Sequence, residues 1–180
     1  MQTMETTSVL RRTATQTGTV NASPGVDYAL KVALVYQDTA TRLWAGRVRE
    51  ILGNAVGGAA LSCTEWEIGA LRQHGVFADG VAALARADLI VMAIHDATCF
   101  PAEFYLWVNL WLQQRGGRPG ALVVLLGTSG ERGPARNESR SYLHAVASQG
   151  QLELFFKECD AEAGVSNVLG VELMEWAIAA

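Results

Sequence analysis

Three short polar segments follow strongly apolar runs and carry the side chains best suited to bind an anionic or planar ligand. They are residues 37–42 (QDTATR), 95–100 (HDATCF) and 128–132 (TSGER). In the first segment, Thr39 and Thr41 offer hydroxyl donors and Arg42 offers a positive charge, which together suit a phosphate at a helix N-terminus. Asp38 carries a negative charge, which would repel a phosphate. The alternative is that Asp38 or Thr39 only caps the following helix.

Acid–base or nucleophilic chemistry has weaker support. His95 and Asp96 are adjacent, but consecutive side chains at a strand end point to opposite sides. Cys99 near His95 has the residue types of a nucleophile and its base, and a packed thiol is the alternative. No GxSxG nucleophile elbow is present. The residues therefore define no catalytic group, and enzyme activity is left open.

Strand-like and helix-like segments alternate strictly along the chain and must position these loops. The predicted strands are Lys31–Tyr36, Ala60–Ile68, Asp88–Ile94, Ala121–Gly127 and Leu152–Cys159. The predicted helices span 39–52, 77–87, 101–114 and 139–148, with a last one from about 167. This alternation predicts a three-layer α/β/α fold whose five-stranded parallel sheet has the order 2-1-3-4-5. Its ligand site would lie beyond the carboxyl ends of the first and third strands.

Composition fits one well-buried domain preceded by a polar segment. Half of the 180 residues are hydrophobic and 18% are charged, which excludes a fibrous or disordered chain. Residues 1–29 are rich in Thr, Ser, Gln, Gly and Asn and lack apolar periodicity. We expect a flexible N-terminal segment over 1–29 and a single domain over 30–180.

Several classes of partner and location are disfavoured. The net charge is −4 and Arg11-Arg12 is the longest basic feature, so the phosphate contacts of nucleic-acid binding are not expected. Three widely spaced cysteines without a ligand pattern predict no metal site and a reducing compartment. The apolar stretch Phe100–Leu112 is shorter than the roughly 20 residues that span a bilayer, and no leader pattern opens the chain. A cytoplasmic protein is expected.

The third helix is apolar on two sides. Phe104, Trp107, Val108 and Trp111 form one stripe at helical spacing, and Leu106 and Leu110 lie on another side. One side is expected to pack on the sheet. The other predicts a homodimer through the helix that carries Trp107 and Trp111, and burial by the N-terminal segment or a loop is the alternative.

Two stretches, DLIVMAIHDATCFPAEFYLWVNLWL (88–112) and ALVVLLGTSGERGPARNESRSYLHAVASQGQLELFF (121–156), resemble the NAD(P)H-dependent FMN reductase branch of the flavodoxin-like superfamily. The similarity extends over about residues 31–157. The resemblance implies that the first loop binds the FMN phosphate through Thr39 and Thr41, with Arg42 adding charge. It also implies that the two later loops edge the flavin ring through Ala97, Thr98, Cys99, Phe100, Ser129 and Gly130.

A second, weaker resemblance leads to a different function. KVALVYQDTATRLWAGRVREIL (31–52) resembles the first strand and helix of response-regulator receiver domains, and Thr128 and Lys157 match their hydroxyl and lysine positions. Ala93 stands where such domains carry the phosphoacceptor aspartate, which removes the geometry of phosphoryl transfer. Two hypotheses follow: an FMN-binding reductase that uses NAD(P)H, or a non-catalytic regulatory or scaffolding module that binds no flavin.

Overall fold

Five strands and five α-helices alternate in the computed structural model, which describes residues 29–95, 100–127, 134–159 and 167–179. The strands are β1 Leu30–Tyr36, β2 Leu61–Glu67, β3 Leu89–Ile94, β4 Gly120–Gly127 and β5 Leu152–Cys159. The helices are α1 Thr39–Val56, α2 His74–Arg86, α3 Ala102–Arg115, α4 Pro134–Gln149 and α5 Asn167–Ala179. Short 3₁₀ turns at Gly58–Ala60 and Ile68–Arg72 flank β2.

The strands form one parallel sheet in the order β2-β1-β3-β4-β5, which confirms the predicted order. Val32 of β1 pairs with Cys63 of β2 on one side and with Leu89 of β3 on the other. Every residue of β3 is buried, whereas β2 at the edge alternates between half-buried and exposed residues. This difference matches the apolar runs, because a central parallel strand is covered on both faces.

Helices cover both faces of the sheet and divide the core into two clusters. Ile90, Met92 and Ile94 of β3 pack with α2, α3 and α4 on one face. The intervening β3 residues pack with α1 and α5 on the other. The period of two along β3 therefore assigns successive side chains to opposite layers.

One of the two apolar sides of α3 was expected to pack on the sheet, and the stripe that carries both tryptophans does face the interior. Phe104, Trp107, Val108 and Trp111 are fully buried. The Trp107 indole Nε1–H donates to the carbonyl of Phe77 on α2 at 3.2 Å. Any surface that α3 offers to another molecule therefore excludes both of its tryptophans.

Arg115, the last residue of α3, ties three segments together at the amino edge of the sheet. Its guanidinium donates to the carbonyls of Leu84 and Ala87, which end α2, and to those of Arg118 and Pro119 in the turn before β4. Burial, followed by the charge of Arg118, lowers the pKa of Arg115. A Cβ at Gly120 would lie 2.5 Å from the backbone carbonyl oxygen of Asp88 and would also collide with the Arg115 guanidinium, so glycine is required there.

Three helix ends differ from the predictions by three residues or more. Helix α2 begins at His74 rather than at Phe77. Helix α1 continues to Val56 rather than about Leu52 and ends where Gly57 adopts φ +86°, a conformation that favours glycine. Helix α4 begins at Pro134 rather than near Ser139, because proline suits a first helical turn. None of the described helices is long and apolar enough to cross a bilayer.

The close approach of α2 and α3 gives a first prediction. A Cβ at Gly80 would lie 2.9 Å from the Trp107 ring, so Gly80→Ala should lower the free energy of unfolding by about 1–3 kcal/mol through overpacking. Gly46→Ala is the matched control, because nothing lies within 4 Å of the added methyl group and alanine favours a helix by about 1 kcal/mol. Urea unfolding measures both variants. Equal stabilisation by the two would contradict the packing.

Candidate functional site

The candidate site is the carboxyl edge of the sheet where β1 and β3 lie side by side. The described residues at this edge are Gln37 and Asp38 after β1, His95 after β3, and Phe100 before α3. The remaining predicted residues, Ala97, Thr98, Cys99, Ser129 and Gly130, lie outside the described residues, as does Asp96. Their assignment stays a prediction.

The connection from β1 to α1 is only two residues long, and its own side chains cap the helix. Asp38 is the N-cap, and its carboxylate Oδ1 accepts from the Thr41 N–H at 2.8 Å. The Thr41 hydroxyl oxygen accepts in return from the N–H groups of Asp38 at 2.8 Å and Gln37 at 3.0 Å. This reciprocal pair is a capping box, and it confirms that Asp38 caps α1.

The capping box occupies groups that a phosphate would need. Thr41 is fully buried, and its hydroxyl is enclosed by Gln37 and Asp38. A carboxylate already accepts from the Thr41 N–H, in the position where a bound anion would accept. Of the two predicted threonines, only Thr39 is exposed.

Arg42 points to the opposite side of β1 from the β1–β3 crevice. Its guanidinium donates through Nε at 3.0 Å and Nη2 at 2.8 Å to the Glu65 carboxylate on β2, and it lies over the Tyr36 ring. The hydrogen bond and charge of Glu65 raise the pKa of Arg42. Arg49 binds the second oxygen of Glu65 at 2.7 Å. Both arginines are therefore paired with one carboxylate on the edge strand β2.

A side chain bridges the crevice between β1 and β3. The Gln37 carbonyl Oε1 accepts from the backbone N–H of His95 at 3.0 Å, and the His95 ring lies 5.9 Å from that of Trp44 on α1. On the other side of His95, a Cβ at Gly127 would lie 2.7 Å from the His95 carbonyl oxygen. The backbone of His95 thus lies between Gln37, which follows β1 and accepts from its N–H, and Gly127 at the end of β4, which approaches it closely. Sequence reasoning gave Gln37 no such role, and its only signal was an amide directly after β1.

Phe100, predicted to edge a flavin ring, packs into an aromatic cluster between α3 and α4. Its ring stacks on that of Phe104 at 4.4 Å, and the neighbouring rings of Tyr105 and Tyr142 meet edge-on at 5.0 Å. No hydrogen-bond partner reaches the buried Tyr142 hydroxyl within the described part of the chain. Burial, and then the nearby Tyr105, raise the pKa of Tyr142 to about 12.

The described thiols are poor nucleophiles. Burial raises the pKa of Cys63, and burial raises the pKa of Cys159 to about 11, which keeps both protonated at neutral pH. Among the described residues, no group of three His, Cys, Asp or Glu side chains is arranged to hold a metal ion.

A cavity of about 690 Å³ opens at the opposite, amino edge of the sheet. Leu30, Val56 and Trp176 supply apolar walls, and the ion pair of Arg118 with Asp88 lies at its side. It is far along the strands from the capped loop, so it forms no part of the carboxyl-edge site.

Comparison with known proteins defines the fold. No family model matches the chain, and no curated protein matches it. A short-chain flavodoxin associated with a non-canonical PDU bacterial microcompartment superposes with a TM-score of 0.54 at 16% identity, over 83% of this chain and 95% of that one. Megasphaera elsdenii flavodoxin in its two-electron reduced form gives 0.53 at 15% identity, over 83% and 99%. An oxidoreductase from Corynebacterium diphtheriae gives 0.53 at 16% identity, over 82% and 91%. The fold is flavodoxin-like.

The capping box predicts a measurable contribution to stability. Asp38→Ala removes the acceptor of the Thr41 N–H and should lower the free energy of unfolding by about 1 kcal/mol. Asp38→Asn keeps a side-chain oxygen in place and should cost much less. Urea unfolding of the two variants tests this difference. Equal losses in both variants would show that the side-chain oxygen does not cap α1.

Tyr142 predicts a loss of stability at alkaline pH. Because its pKa is about 12 in the folded state, raised from 10.0, the unfolded chain releases this proton first as pH rises. The tyrosine's stabilising contribution is complete below about pH 10 and is lost as pH rises toward 12. Tyr142→Phe should therefore lose less stability than the wild type between about pH 9 and pH 11. Urea unfolding over this range measures it, and parallel curves would contradict the burial of the hydroxyl. The Cys159 thiol titrates in both proteins, so its effect cancels.

Proposed function

We propose that this chain is a flavodoxin-like interaction module, with a regulatory or scaffolding role, that binds no FMN. The observation that carries the proposal is the capping box of Asp38 and Thr41. In this fold a ligand's phosphate would sit at the N-terminus of α1, and there the chain supplies its own carboxylate. FMN does not fit the described part of this edge.

The energetics of the loop favour this interpretation. An FMN phosphate would bring its negative charge against the Asp38 carboxylate, which repels it. It would also have to replace the Asp38–Thr41 contact of 2.8 Å without a glycine in the segment 37–42 to let the backbone wrap around it. Arg42 would offset little of this repulsion, because its guanidinium is already paired with the Glu65 carboxylate.

The competing candidate is an FMN-binding reductase that uses NAD(P)H. It is supported by the likeness of the fold to two flavodoxins and to an oxidoreductase. Thr39 is the predicted phosphate contact that is exposed. Binding in this manner would require the Asp38 carboxylate to leave the Thr41 N–H.

A flavin titration separates the two candidates. The purified chain should be colourless and should not quench FMN fluorescence in a saturable way at micromolar FMN. Asp38→Asn removes the repelling charge and keeps the cap. Neither this variant nor Thr41→Ala should bind FMN. A yellow protein, or saturable quenching that Asp38→Asn strengthens and Thr41→Ala weakens, would overturn the proposal. An NADPH oxidation assay would then test the reductase.

A further inference from the structure

We propose that residues 24–28 (PGVDY) cross the amino edge of the sheet and fill the cavity beside Leu30, with the side chains of Val26 and Tyr28 inside it. This inference goes beyond the proposed function and does not depend on it, because the cavity lies at the edge of the sheet opposite the capping box.

The cavity at the amino edge has the size and lining of a site for apolar groups. It holds about 690 Å³, and its walls include Val56 at the end of α1 and Trp176 near the end of α5. Asp88 and Arg118 at its side pair with each other. Glu153, the remaining charge among its described lining residues, is exposed to solvent. The apolar walls therefore select the occupant, because they gain stability only when apolar groups displace water from them.

Covalent connection selects the occupant further. Leu30, the first residue of β1, lines the cavity, and 28 residues of the chain precede Ala29. A segment joined directly to its site acts at an effective concentration in the millimolar range, whereas a separate molecule must lose translational and rotational freedom on binding. A separate molecule would also have to share the cavity with the chain as it leaves Leu30. The connection thus favours residues 24–28 over a free ligand or a second copy.

The segment has the length and the pattern that the cavity requires. Leu30 packs on the side of the sheet that α1 and α5 cover, which is also the side of Val56 and Trp176. Side chains alternate along an extended chain, so Tyr28 and Val26 fall on the same side as Leu30. Three strand spacings separate β1 from β5, which is about 14 Å. Five extended residues reach at most about 17 Å, enough to cross the cavity.

The residues further from β1 suit the cavity less well. Residues 11–19 (RRTATQTGT) contain two arginines and four threonines and no large apolar side chain. Pro24-Gly25 is a dipeptide typical of a turn, at which the chain can leave the cavity. The filling segment is therefore confined to the residues between this turn and β1.

Contacts measured by NMR on the unaltered, isotope-labelled chain test the proposal. Nuclear Overhauser effects should join the methyl groups of Val26 to the indole of Trp176 or the methyl groups of Val56. Averaged chemical shifts without such contacts over residues 24–28 would overturn the proposal. Contacts of Val26 or Tyr28 with α3 instead of α5 would also overturn it.

Dye binding tests whether the segment closes the cavity. Val26→Asp should weaken filling by about tenfold or more, because a buried valine is replaced by a charge. The emptied cavity should then bind 8-anilinonaphthalene-1-sulfonate and raise its fluorescence above that of the wild type. Val9→Asp is the matched control, since it makes the same change far from Leu30, and it should leave the fluorescence unchanged. Equal fluorescence of the wild type and Val26→Asp, or an equal rise in Val9→Asp, would contradict a cavity filled by residues 24–28. A folding defect in Val26→Asp leaves the NMR test intact, because that test uses the wild-type chain.

Discussion

Burial of β3 and β4 on both faces is the constraint on which the rest of this structure depends. No water reaches these strands, so each backbone polar group must pair with a neighbouring strand, and a helix layer must cover each face. Strands β3 and β4 carry no polar side chain themselves, and polar groups contact them at the ends of the strands. At the amino edge, Arg115 satisfies the carbonyls that end α2 and precede β4. At the carboxyl edge, Asp38, Thr41 and Gln37 satisfy the start of α1 and join it to β3.

A helix N-terminus can be satisfied by the chain itself or by a bound anion, and the two compete for the same N–H groups. A short connection with an acidic N-cap decides this competition in favour of the chain. Here the connection between β1 and α1 has two residues, and the N-cap is Asp38. The chain thus has the strand–loop–helix arrangement that can hold a phosphate. In this chain, however, the Asp38 carboxylate binds the N–H of Thr41 at the start of α1.

The sequence predicts the sheet order and the inward face of α3 because both follow from local periodicity. The end of α1 was placed too early, since its last turn is set by the conformation of Gly57 rather than by an apolar pattern. The site was harder to predict. The bond between Gln37 and His95 joins residues 58 apart, and the direction of Arg42 depends on the register that places Glu65 on β2. Asp38 was recognisable as a cap because its partner lies three residues away.

The position of β1 inside the sheet also affects how the chain folds. β1 pairs with β2 on one side and with β3 on the other, so its second edge stays open until β3 has been synthesised. In a nascent chain that ends before Ile94, the edge of β1 that will pair with β3 has no complete partner strand. Parallel pairing across such separations is slow and aggregation-prone. Completion of β3 is therefore the step at which this chain, during synthesis, first gains a strand protected on both edges.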